Sequence, residues 1–181
     1  MPSLSDPQGL RKLTLIAILA SLAVVLGIIE SLIPFAVAIP GAKLGLGNIV
    51  VVVGLVFFDG KDTLMLIVVK TLLTAFILGS FSTFLFSILG ALFSFVVMFT
   101  MLRLGRGSFS LTAISVAGGI CHNLGQLTAA AWVLGTTKIY AYLPFLLVTG
   151  IATGIVVGLA SSYLCGSWLR NGWYRPIRDI F

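Results

Sequence analysis

Residues 118–126 read GGICHNLGQ, a histidine, an asparagine and a glutamine inside the otherwise apolar run 111–134. At about 100° per residue, Ser115, Gly118, Gly119, His122, Gly125, Gln126 and Ala129 share one face of a helix, with Asn123 at its margin. Val116, Ile120, Leu124, Leu127 and Trp132 make the opposite, greasy face. The glycines let another backbone come close, and the three polar side chains can then hydrogen-bond to a neighbouring helix or to a ligand.

The chain around this stretch has 181 residues, of which 59% are hydrophobic and 9% charged, and its mean hydropathy is +1.18. That is too little polar surface to cover a water-soluble globule, so the chain is expected to be an all-α integral membrane protein. Runs near the ~20 residues that a helix needs to cross a hydrocarbon core recur throughout. They predict one membrane domain over 1–181, a bundle of six transmembrane helices at about 13–33, 44–58, 63–79, 84–102, 111–134 and 143–165. The first run is 21 residues long; a signal-peptide core has about 7–15, so it is read as helix 1 and not as a cleaved leader.

A formal charge of +6 would suggest nucleic acid in a soluble protein, but here it reads as topology. With six spans, Arg11, Lys12, Lys61, Arg103, Arg106, Arg170, Arg175 and Arg178 fall on the side of both termini, and Lys43 and Lys138 on the other. The positive-inside rule then predicts a multi-pass cell-membrane protein with both termini in the cytoplasm.

Lys70 lies near the centre of the third run, where an ammonium costs at least ~2.5 kcal/mol on insertion scales. Thr63, Lys70 and Thr74 share a face, so the lysine is expected to point into the bundle. At ~1.5 Å per residue, Lys70 rises ~12 Å above its helix's inner end, and His122 and Gln126 rise ~16 to 23 Å above theirs. All three are expected to line one cavity in the outer half. The connection 34–47, PFAVAIPGAKLGLG, is too apolar for a solvated loop and too broken for a spanning helix; it is read as a lid that carries Lys43. Glu30, near the end of helix 1, is expected to reach the membrane interface.

Several chemistries are not provided for. Prenyl diphosphate enzymes need clustered aspartates to hold Mg²⁺, but the acidic residues here are Asp6, Glu30, Asp59, Asp62 and Asp179. Asp59 and Asp62 read as a solvated turn. GLVFFDGKD at 54–62 has the wrong spacing for a phosphate loop and Asp62 where Ser or Thr should be. His122 is the single histidine, which excludes a multi-histidine metal site. Cys121 and Cys165 read as small buried hydrophobes. No catalytic residue, metal site or cofactor is therefore expected.

Four stretches, PGAKLGLGN at 40–48, the Lys70 helix running into LGSF at 78–81, SILGALFS at 87–94 and AGGICHNLGQL at 117–127, resemble the membrane family called Gx, also labelled heptaprenyl diphosphate synthase component I. The resemblance covers about 12–161. That family is similar to the substrate-binding S components of energy-coupling factor (ECF) transporters. It implies a six-helix binding protein that captures a vitamin or related micronutrient, with a membrane T component and two ABC ATPases as partners. Small residues four apart on helix 1, Ala17 with Ser21 and Ala23 with Gly27, make ridges for close helix packing; the resemblance implies that they dock the T component.

The substrate-binding residues expected on this reading are Lys43, Lys70 and His122, attracting an anionic group, and Asn48, Asn123 and Gln126, orienting it by hydrogen bonds. Two other readings remain: a membrane subunit of polyprenyl diphosphate synthesis without chemistry of its own, and a self-sufficient carrier with Lys70, Glu30 and His122 as a proton relay.

Overall fold

The structure, a computed structural model, describes residues 7–32, 45–78, 81–105 and 107–171. Among these are six α-helices: α1 (Pro7–Ser31), α2 (Leu46–Phe57), α3 (Gly60–Leu78), α4 (Phe81–Leu104), α5 (Leu111–Leu134) and α6 (Leu143–Arg170). A short 3-10 helix, Thr137–Tyr142, leads into α6. Lys43, most of the lid-like connection, Arg106 and the tail with Trp173, Arg175 and Arg178 lie outside the described residues.

Local chemistry sets the helix ends. Ser110 caps α5 by accepting a hydrogen bond from the Ala113 N–H at 3.1 Å. Gly135 closes it with φ 62°, the left-handed conformation that suits glycine. Asp62 falls in the first turn of α3, where a carboxylate favours the helix dipole; the polar turn expected over 59–62 is thus shorter, and α3 begins at Gly60.

Three helices, Gly9–Ser31, Phe84–Leu104 and Thr137–Arg170, are long and apolar enough to cross a membrane, and the chain is a membrane protein. Six such spans were expected from the sequence, and the difference has a physical origin. With 12 residues, α2 is only about 18 Å long. The other two helices are long enough, but α3 carries Lys61, Asp62 and Lys70, and α5 carries His122, Asn123 and Gln126.

The helices form two layers of three. In the first, α1 packs on both α2 and α3; in the second, α5 lies between α4 and α6; α3 meets α4 and α2 meets α6 where the layers join. Glycine brings the second layer together. A Cβ on Gly154 would stand 2.6 Å from the Val116 Cα, one on Gly158 2.6 Å from the Thr112 Cα, and one on Gly125 2.6 Å from the Leu89 carbonyl oxygen. Where lipid tails are as apolar as the side chains, such close approach is what drives helices together. Asn123 adds a polar tie, its Nδ2 donating to the Leu146 carbonyl at 2.7 Å.

In the first layer the fully buried α2 residues Val52, Val56 and Phe57 pack with Leu66 and Ile67 of α3 and with Ile16, Leu19 and Ala23 of α1. Glu30 is 5% exposed and does not reach the membrane interface as expected. Its carboxylate accepts hydrogen bonds from the Gly45 and Leu46 N–H groups, at 2.6 and 3.1 Å. Gly45, at φ 74°, precedes α2 with no side chain to cap it, and the first-turn N–H groups of a helix need an acceptor. Glu30 supplies it from α1.

At the other end Lys12 pairs with Asp62 and, at 3.5 Å, with Asp59, so the turn read as merely solvated holds the start of α1. Phe57 stacks near Trp168, with centroids 5.3 Å apart, and Arg103 lies over the Phe99 ring at 4.8 Å. These contacts bring Lys12, Arg103 and the end of α6 to one end of the bundle.

Two substitutions on α6 separate packing from helix propensity. Gly154→Ala forces a methyl into the α5 backbone and is expected to destabilise by about 1–3 kcal/mol, whereas nothing lies within 4 Å of a Cβ at Gly166, so Gly166→Ala is expected to be neutral or stabilising by up to ~1 kcal/mol. Scanning fluorimetry in detergent reads the difference; equal losses would contradict the packing described. By the same measurement Glu30→Ala is expected to cost about 1.5–3 kcal/mol, the range for hydrogen bonds to a charged group, with Glu30→Gln intermediate. No loss in Glu30→Ala would show that α2 does not rely on this carboxylate.

Candidate functional site

A cavity of about 90 Å³ lies between the two layers, and all six α-helices contribute to its wall. Its chemistry begins with Lys70. The ammonium donates to the Asn48 side-chain oxygen at 2.8 Å, so the charge that the third apolar run carries is met by an oxygen from the first turn of α2. Gly47 makes that turn possible: a Cβ there would come 2.9 Å from the Ala23 carbonyl oxygen and 3.5 Å from the Lys70 Nζ. The glycine lets α2 pass close to α1 and leaves space for the ammonium. Thr74, one turn after Lys70, also lines the cavity, while Thr63 of the same face is buried near the start of α3.

Opposite stands α5. Ser115, Gly119, His122 and Gln126 line the cavity at intervals of four, three and four residues, the repeat of one helical face. Room for the two larger side chains comes from α4, where a Cβ on Gly90 would meet the Gln126 Cγ at 2.9 Å and the His122 Cε1 at 3.0 Å. Asn123 lines the cavity as well but is 8% exposed, and its amide is committed to the Leu146 carbonyl and, at 3.4 Å, to the Thr149 hydroxyl of α6.

Of the six residues expected to bind substrate, five, Asn48, Lys70, His122, Asn123 and Gln126, thus come together around one cavity. Lys43 lies outside the described residues. The two small-residue ridges of α1 expected to dock the T component lie on different faces of the helix. Ala17 and Ser21 are exposed, whereas Ala23 is 1% exposed and packs under α2, and Gly27 lines the cavity. Six residues at about 100° each carry the second pair well round the helix from the first. That inward turn removes Ala23 from any outer surface.

The wall also takes in Glu30, Ser87 and Thr153, of which the sequence reading missed the last two. Ser87 and Ser94 are seven apart on α4 and face the cavity together. Two hydroxyls at that spacing in the apolar middle of the helix, 84–99, were the available signal. The hydrogen bonds of Glu30 had no such signal, because the backbone N–H groups that hold it leave no mark in the sequence.

Among the described residues there is no group of three or more His, Cys, Asp or Glu that could hold a metal ion. The arrangement suits reversible binding: one ammonium, donors and acceptors on three sides, and small residues that leave space. The family model for heptaprenyl diphosphate synthase component I matches residues 19–164. No curated protein matches, and no solved structure does. The match runs from the middle of α1 to near the end of α6 and takes in every residue named in the cavity wall, and the chain belongs to the heptaprenyl diphosphate synthase component I family.

Proposed function

We propose that the protein is the substrate-binding S component of an ECF importer. It lies in the cell membrane with all six helices crossing, both termini in the cytoplasm and the cavity open to the outside. It captures a small anionic or amphipathic micronutrient, and a membrane T component with two ABC ATPases supplies the power for uptake. The protein itself is not an enzyme.

The observation that supports this most is the cavity itself. Lys70, Asn48, His122 and Gln126, from three different helices, converge on one space, which is the arrangement of a few polar groups that a binding site needs. Among the described residues the carboxylates have protein partners: Asp59 and Asp62 hold Lys12 at the basic end, and Glu30, in the cavity wall, holds the start of α2. Nothing of this kind resembles the aspartate cluster that presents Mg²⁺ to a diphosphate. The exposed Ala17 and Ser21 offer a small-residue surface on α1 to the T component.

The family's name favours a second reading, a membrane subunit that attaches polyprenyl diphosphate synthesis to the bilayer. Affinity purification of the tagged protein from its native membrane in mild detergent, followed by mass spectrometry, separates the two. Recovery of a T component with two ATPases is the expected result. Recovery of a prenyl synthase without ATPases would replace the importer reading with the second one.

A further inference from the structure

The wall of the cavity differs in composition from the rest of the chain. The sequence holds 13 Phe, four Tyr and three Trp, yet no phenylalanine, tyrosine or tryptophan, and no leucine or isoleucine, is among the described residues of the wall. Glycines and Ala23 share it with Val52, Met98 and Val157 and with hydroxyl groups from Thr74, Ser87, Ser94, Ser115 and Thr153. A flat heterocycle is usually gripped by stacked rings, which gain from offset and edge-to-face contact, and an isoprenoid chain by branched aliphatic side chains. Among the described residues the wall offers no ring, and its branched aliphatic side chains are Val52 and Val157 alone. Hydroxyls both donate and accept, and they are costly to bury unmatched, so this wall favours a guest with several hydrogen-bonding groups of its own.

Charge narrows the class further. Lys70 contributes one positive charge to the wall and Glu30 one negative charge, and His122 is the remaining titratable group among the described lining residues. Those two charges cancel, so a monoanion on Lys70 leaves the cavity with one net negative charge, on a Glu30 carboxylate that two backbone N–H groups hold. A diphosphate would bring two or more further negative charges into a space of low dielectric beside Glu30, and burying unpaired charge is expensive. The volume, about 90 Å³, is also well under the ~300–1,000 Å³ of a site for a drug-sized ligand.

Building on the importer reading, we infer that the cavity takes a small, non-aromatic carboxylate bearing hydroxyl or amide groups. The carboxylate sits on the Lys70 ammonium beside Asn48, and the neutral polar groups meet Gln126, His122 and the hydroxyls of α4 and α5. Prenyl diphosphates and flat heterocycles suit the described wall less well.

The full-length protein purified in mild detergent tests this by scanning fluorimetry with four probes at about 10 mM and matched ionic strength: glycerate, lactate, nicotinate and isopentenyl diphosphate. A ligand that binds the folded state raises its stability as its concentration passes Kd. Glycerate or lactate is expected to raise the unfolding midpoint by roughly 2–4 °C, nicotinate and isopentenyl diphosphate by less, and Lys70→Ala is expected to abolish the rise. No response to either aliphatic acid, a larger response to nicotinate or isopentenyl diphosphate, or an undiminished response in Lys70→Ala would overturn the assignment. Co-purification of the ATPases does not depend on what the cavity holds. Failure here with the ATPases recovered would therefore overturn the ligand class alone, and their absence would overturn the importer reading.

Discussion

An ammonium group in the middle of an apolar bundle must be met by oxygen, and much of this structure follows from how Lys70 is met. Its partner is the side chain of Asn48, at 2.8 Å, and Asn48 lies in the first turn of a helix of only 12 residues. Such a helix has no capping side chain of its own at Gly45 and relies on the Glu30 carboxylate, which crosses from α1 to hold its first N–H groups. Gly47 then permits α2 to lie against α1 while leaving the ammonium its space. The support therefore runs from α1 through a carboxylate to α2, and from α2 through an amide to α3. Each link is buried or partly buried, where an unmet polar group costs most.

The two layers divide the work. Gly119, Gly125, Gly150, Gly154 and Gly158 bring α4, α5 and α6 into backbone contact, and Asn123 ties α5 to α6. This layer offers a polar face with fixed spacing. The first layer carries the charge, on Lys70, and the carboxylate that positions it. Because the cavity lies between them, both layers supply its wall, and a shift of one layer against the other changes its shape.

The long elements of this fold were legible because their signals are periodic. The limits of α5 were read as 111–134 and are Leu111–Leu134, since Ser110 and Gly135 are chemical stops at either end. The convergence of Lys70, His122 and Gln126 was legible from helical rise alone. What escaped was whatever depends on partners that sequence does not mark. Glu30 looked like an interfacial carboxylate because its backbone donors become available only when α2 has folded beside it. Asp59 and Asp62 looked solvated because Lys12, nearly fifty residues earlier, gives no local sign of reaching them. Ala23 and Gly27 shared the spacing of Ala17 and Ser21 but not their face, and spacing without phase cannot tell an outward ridge from an inward one. Three of the six expected spans have the length and apolarity of a membrane crossing; in α3 and α5 polar groups, several of them in the cavity wall, lower the apolarity.

The central claim is that the two layers enclose an outward-facing cavity whose character is set by the Lys70 ammonium. It is tested most directly by replacing Cys121 and Cys165 with serine, introducing Thr74→Cys in the cavity wall, and treating intact cells with membrane-impermeant thiosulfonate reagents of opposite charge. The account requires modification from outside, faster with the anionic reagent than with the cationic one relative to their rates on a free thiol, and requires Lys70→Ala to remove that preference. Modification only from the cytoplasmic side, or a preference for the cationic reagent, would contradict it.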